Sequence, residues 1–352
     1  MYRKNTPEAL DYRITKDILD YFEGLESVDL RRVLRNSPFI LGASRLLLDS
    51  FEPNRRRVMD SLELQDKQMG KIISSNAYVV SRPFASAVGP CLDYLESLGY
   101  TTSEIRSIVL RFPRILMLSR GKIEGVKESL RIFGIGEEDF VKILWKFPPV
   151  AGLSASKIEV ARRWLEEQGL DGEDALKASV SKFPQILSHN LEEKVDPMVK
   201  YMVQELGLPK LVVRTALLAA PDVFGRSLDT IKKNVAALES IGMTKIDITR
   251  YLTSFPGGLR IDIRQDPYLS KLGFLENNLG QKPSAVLPIH PRYLSYSMDR
   301  IAPRAEFLRS KQRSTNGVTG WCAASDVVFA QKFARATIDD WLVFKSNWAA
   351  SA

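Results

Sequence analysis

The sequence has only two cysteines, Cys91 and Cys322, and two histidines, His189 and His290, among its 352 residues. The cysteines stand far apart and neither has a Cys or His neighbour at metal-ligand spacing, which excludes a disulfide framework and a zinc site. A Gly-rich phosphate loop, a nucleophile elbow and a metal-binding His pair are all absent. Ordinary catalytic constellations therefore lack their parts, and the chain reads as a non-enzyme with no catalytic residue, metal or cofactor. Charges interrupt every apolar run well before the length of about 18 residues that a bilayer requires, so no membrane partner is expected. The N-terminal stretch from Met1 to Gly24 mixes acids with bases, unlike a transit peptide. Any targeting segment is expected to have been removed or to lie outside this sequence.

What is present is ordinary globular material with a basic bias. Hydrophobic residues make up 45% and charged residues 26%, enough apolar surface for two or three domains or for one array of small repeats. Fifty Lys plus Arg against 42 Asp plus Glu leave a net charge of +8, which favours a polyanionic partner.

A proline motif recurs and decides between those architectures. It reads Ser37-Pro38-Phe-Ile-Leu, Phe112-Pro113-Arg-Ile-Leu, Phe147-Pro148-Pro-Val-Ala, Phe183-Pro184-Gln-Ile-Leu, Ala220-Pro221-Asp-Val-Phe, Phe255-Pro256-Gly-Gly-Leu and His290-Pro291-Arg-Tyr-Leu, with a degenerate copy at Asn76-Ala77-Tyr-Val-Val. Successive intervals are 39, 36, 35, 36, 37, 35 and 35 residues. A second mark keeps register with it: Gly99, Gly134, Gly169, Gly207, Gly242 and Gly280 each stand upstream of the next proline, where glycine closes a first helix. Before these glycines apolar residues recur at helical spacing, as in Ile231, Val235, Leu238 and Ile241. After them a shorter helix must stop at the proline, whose ring disfavours helical geometry in the preceding residue. The Pro-x-Ile-Leu segment then fits a single 3₁₀ turn. The predicted fold is all-α: a superhelical solenoid of about eight helix-turn-helix-3₁₀ repeats of roughly 35 residues, whose apolar faces are buried only by stacking.

Phe-Pro-x-Ile-Leu turns in this register, alternating with Leu-Gly helix ends and Ser-x-x-Lys-Ile helix starts, resemble the mitochondrial transcription termination factor (mTERF) family over about residues 30 to 311. Arg300-Ile-Ala-Pro303-Arg304, followed by Phe307-Leu308, resembles the closing segment of that family. The chain departs from the pattern at Ala77, at Gly257-Gly258 and after Lys311. The resemblance implies a left-handed superhelix with a basic concave groove, located in mitochondria or alternatively plastids. It also implies binding to nucleic acid, with control or termination of organellar transcription in some members and action on RNA or ribosome assembly in others.

The residues themselves point to the same chemistry. Ser119, Ser154 and Ser297 are placed to cap helices, yet Lys122, Lys157 and Arg300 follow three residues later, where a cation opposes the helix dipole by about 0.3–1 kcal/mol. A phosphate at the helix start would reconcile the two, and a solvated surface base is the alternative. The expected nucleic-acid contacts are Arg82, Arg120, Lys122, Lys157, Arg162, Lys194, Lys200, Lys232, Lys233, Lys271, Arg300, Arg304, Arg309 and Lys311. Tyr94, Trp164, Tyr201 and Tyr268 either fill the inter-repeat core or stack on exposed bases. Residues 1–311 are assigned to the repeats. Residues 312–352, polar at first and then rich in Trp and Phe, are assigned to a capping extension. The leading reading is a monomer that binds double-stranded DNA and terminates or regulates organellar transcription. RNA binding, in splicing or ribosome assembly, and a helical protein-binding scaffold are the alternatives.

Overall fold

A proline pushes the residue before it out of helical geometry, and the structure, a computed structural model describing residues 12–351, shows this at each copy of the motif. Residues 1–11, which open the expected repeat array and the stretch read for targeting, lie outside the described residues, as does Ala352. Phe112, Phe147, Phe183 and Phe255 all take φ between −138 and −145° with ψ of 72 to 76°. Each still donates its N–H to the carbonyl four residues back, so the helix closes at that residue. The chain then makes one 3₁₀ turn: Pro38–Gly42, Pro113–Met117, Pro148–Gly152, Pro184–Ser188, Pro221–Gly225, Pro256–Arg260 and Pro291–Ser295.

A representative unit runs through the helix Leu228–Ser240, Gly242, the helix Lys245–Ser254 and the turn Pro256–Arg260. The six marker glycines all adopt positive φ, between 65 and 92°, which a β-carbon would strain. In most of the seven turns the apolar pair is fully buried: Ile115 and Leu116, Val150 and Ala151, Ile186 and Leu187, and Val223 and Phe224 are all 0% exposed. Neighbouring turns touch, Pro113–Met117 with Pro148–Gly152 and Pro148–Gly152 with Pro184–Ser188, so each unit completes the core of the next. No strand occurs among the described residues, and the chain is an all-helical repeat solenoid.

Both irregular copies of the motif have local physical solutions. Ala77 keeps the N–H that proline lacks and donates it to Oγ of buried Ser37, at 3.0 Å. Ser37 itself stands where four of the other copies have Phe, so the two departures compensate each other. At Gly258, where other copies carry a buried apolar side chain, the space is taken by the ring of Tyr251: a β-carbon there would lie 2.5 Å from that ring. Tyr251 is 0% exposed and replaces the missing side chain from the neighbouring helix.

Gly70, on the helix Asp66–Ser75, passes so close to the preceding loop that a β-carbon would lie 2.2 Å from the Glu26 carbonyl oxygen. The obstacle is backbone and cannot rotate away. Gly70→Ala is expected to destabilise the chain by about 1–3 kcal/mol despite alanine's better helix propensity. A urea titration showing equal or greater stability would contradict the close approach.

The chain forms two compact units. One comprises residues up to Arg163 together with Gly172–Ser188; the other comprises Trp164–Asp171 and the chain from His189 onward. In the second unit the segment after Lys311 folds into the helices Val318–Ala323 and Ile338–Ser351 with a short helical stretch between them. Trp321, Phe329 and Trp341 are at most 1% exposed there, and Phe307 of the helix Met298–Ser310 packs against Phe329, Trp341 and Phe344 with ring centroids 5.1 to 6.1 Å apart.

Candidate nucleic-acid interface

The expected contacts separate by what holds each charge. Ser119 and Ser154 do cap their helices, their Oγ atoms accepting the N–H of Lys122 and Lys157 at 3.2 Å, whereas Ser297 makes no side-chain cap bond. Two of the three cations placed against a helix dipole have backbone acceptors. Lys122 donates Nζ to the Leu153 carbonyl, and Arg300 donates to the Cys322 and Ala324 carbonyls. Lys157 remains exposed with no ion pair among the described residues.

This is a repeated device. A polar side chain from a first helix satisfies a carbonyl at the turn that follows: Asn54 with Val80 at 2.9 Å, Asn234 with Leu259 at 2.9 Å and Lys271 with Leu294 at 2.7 Å. Buried carbonyls need such donors, because an unpaired one costs about 1–3 kcal/mol. Lys271 is therefore corrected from a nucleic-acid contact to a core residue. It is 4% exposed, and burial pulls its ammonium below the usual pKa.

Arg304 is corrected in the same way. It is 1% exposed, donates to the carbonyls of Trp321, Cys322 and Ala324, pairs with Asp326 at 2.6 Å and lies 4.6 Å from the centre of the Phe329 ring. No face of it remains for a base. Tyr94, Trp164 and Tyr201 are also core residues, at 4, 6 and 7% exposure, and Trp164 donates Nε1 to Asp196. Only Tyr268 of the four proposed stacking residues is half-exposed.

Among the remaining bases, several are surface ion pairs: Arg120 with Glu124 at 2.9 Å, Lys232 with Glu205 at 3.2 Å, Lys233 with Asp229 at 2.8 Å, Arg309 with Glu306 at 2.5 Å and Lys311 with Asp340 at 3.8 Å. Such exposed pairs contribute at most about 1 kcal/mol and can exchange for a phosphate. Arg162 and Lys194 are half-buried, and Lys200 is exposed in the second unit.

One place in the first unit gathers free bases with aromatic surface. A cleft of about 800 Å³ opens beside the turns Pro38–Gly42 and Pro113–Met117, and Phe39, Tyr78, Arg82 and Arg114 line it. Both arginines are exposed, neither has an ion pair among the described residues, and no acid lines the cleft. Phe39 is 85% exposed, and its backbone N–H donates to the Tyr78 hydroxyl at 3.2 Å. Arg82 also borders a smaller cavity of about 160 Å³ shared with Ser119 and Arg120 at the start of the helix Arg120–Ser129. Arg82 and Arg120 are among the contacts expected from the sequence, whereas Arg114, Phe39 and Tyr78 are not. The latter three all sit one position after the proline or its Ala77 equivalent, the slot the buried apolar pair leaves facing outward.

The fold is thus an all-helical array of proline-turn repeats, with unpaired arginines and aromatics lining one cleft of its first unit. The chain belongs to the mTERF family: the family model, mTERF, matches residues 4–233 and 163–330. No curated protein matches the chain significantly. Family membership places it among organellar nucleic-acid-binding proteins concerned with transcription, which are regulators and generally not enzymes. No helix among the described residues is long and apolar enough to cross a membrane.

Proposed function

We propose that the protein binds double-stranded DNA as a monomer, through the turn edge of its first unit, and thereby terminates or regulates transcription in the mitochondrion. The observation that carries this reading is the acid-free cleft in which Arg82 and Arg114 stand unpaired. Two guanidiniums beside one another repel unless an anion lies between them, and phosphate geometry suits their planar forks. Arg120, which shares a cavity with Arg82, and Lys157 stand at the starts of the next two first helices, where amide groups add to the attraction for phosphate. Such contacts hold the duplex in register, and sequence preference comes from the few side chains that reach base edges and from duplex deformation.

RNA is the second reading, favoured by one observation. Exposed Phe39 and half-exposed Tyr78 beside two arginines form the kind of surface on which unpaired bases stack.

Arg82→Ala combined with Arg114→Ala is expected to weaken duplex binding and to reduce the slope of log K against log salt by about 1.8, at about 0.9 for each phosphate no longer neutralised. The melting temperature should not move, since both side chains are exposed. Filter binding over a salt series measures the slope; an unchanged slope would remove the cleft from the interface. Competition by structured and single-stranded RNA completes the test, and an RNA preference of about tenfold or more would replace the DNA reading with the RNA one.

A further inference from the structure

A groove of about 480 Å³ in the second unit has a different chemistry from the arginine cleft. It lies at the glycine end of the helices, between the chain at Glu167–Gly169, the helical segment that includes Val199 and Val203, and the start of the helix Lys210–Ala219. Its surface is largely apolar. Leu211 is 65% exposed in a helix that already buries Val212, Val213, Ala216 and Leu217, so it adds nothing to the core.

The rim is basic. Lys200 and Lys210 are both exposed with no ion pair among the described residues, and Arg214 is fixed beside the groove by its Nε bond to the Gly169 carbonyl at 2.7 Å. Glu167 is the one acid in the lining. A nucleic-acid backbone would satisfy the rim and leave Leu211, Val199 and Val203 in water. An uncharged apolar ligand would do the reverse. A ligand with apolar side chains on one face and carboxylates flanking them satisfies both.

We propose that this groove docks an acidic amphipathic helix of a partner protein, with its apolar residues against Leu211, Val199 and Val203 and its carboxylates on Lys200 and Lys210. Helix-in-groove recognition uses residues at i, i+3, i+4 and i+7 as anchors, and the basic rim selects acidic over basic helices. The site belongs to the unit that does not contain Arg82 and Arg114, so it gives this nucleic-acid-binding chain a separate means of recruiting a protein.

The test uses the full chain and a fluorescein-labelled synthetic helix carrying Leu at i, i+3, i+4 and i+7 with Glu at the flanking positions, followed by fluorescence anisotropy. Saturable binding in the micromolar range is expected. Leu211→Glu, and separately Lys200→Glu with Lys210→Glu, should each weaken it about tenfold or more. A peptide with Lys in place of every Glu should not bind. Leu211→Glu should leave duplex DNA affinity unchanged, which separates failure of this proposal from failure of the DNA reading. No saturable binding, or binding that Leu211→Glu leaves intact, overturns the proposal. Displacement of the peptide by duplex DNA also overturns it, and makes Lys200 and Lys210 nucleic-acid contacts instead.

Discussion

Replacing Ile115 and Leu116 together with Asp is expected to abolish cooperative folding of the first unit. Both side chains are 0% exposed in the turn Pro113–Met117, which packs against the neighbouring turn Pro148–Gly152. Loss of two buried aliphatic side chains alone costs about 4 kcal/mol or more. Burial of two carboxylates with no partners adds at least several kcal/mol, so the sum approaches the whole stability of an ordinary domain, about 5–15 kcal/mol. Because repeats support one another only through neighbours, the damage should spread along the array. Circular dichroism during heating is the measurement. Arg114→Asp, between Pro113 and Ile115, is the control: that side chain is exposed, and the change should stay within about 0.5 kcal/mol. A double variant that melts like the parent chain would refute the stacking of turns.

That contrast between Arg114 and its neighbours explains which features are readable from the sequence. Proline, glycine and the apolar pair each have one conformational or packing job that recurs in every unit, so their spacing alone reveals the repeat, the 3₁₀ turn and the family. Side-chain partners do not recur in that way. Lys122, Lys271 and Arg304 look alike as isolated basic residues on first helices, yet the first two reach carbonyls 31 and 23 residues further along the chain and Arg304 is buried. Nothing local announces such an acceptor, because it is a backbone group of whatever residue stands there. The aromatics are ambiguous for a related reason: Tyr94, Trp164 and Tyr201 lie on the inward stripe of their helices, and helical spacing alone does not say whether that stripe meets the core or a ligand. Arg114 and Phe39 are readable in principle. In Pro-x-Ile-Leu the buried pair fixes x outward, and the x position is the one to inspect for a ligand in every copy.

Arg304→Ala is expected to cost about 1–3 kcal/mol of stability, the usual effect of leaving buried acceptors short of a donor, because Asp326 is partly exposed and keeps Lys345 as a partner. The guanidinium holds the carbonyls of Trp321, Cys322 and Ala324 as well as the Asp326 carboxylate, and each is left without this donor in the variant. Lysine in its place keeps the charge but not the planar fork that reaches several acceptors at once, so Arg304→Lys should fall between the two. The loss should concentrate in the segment after Lys311, and Trp321 and Trp341, both buried there, report it by fluorescence in a urea titration. Acidity offers a second readout. Burial alone would raise the Asp326 carboxyl, but Lys345 and Arg304 outweigh it and hold the group at about 2, below its ordinary value of 3.8. A carboxyl lowered by folding contributes stability that is fully present above the unfolded value and is lost as pH falls through the folded one. The parent chain should therefore lose stability between pH of about 4 and 2, and Arg304→Ala should flatten that part of the profile. If the variant instead keeps its stability and loses DNA affinity, the guanidinium is free to meet a base, and the buried assignment fails along with the docking of the C-terminal segment that depends on it.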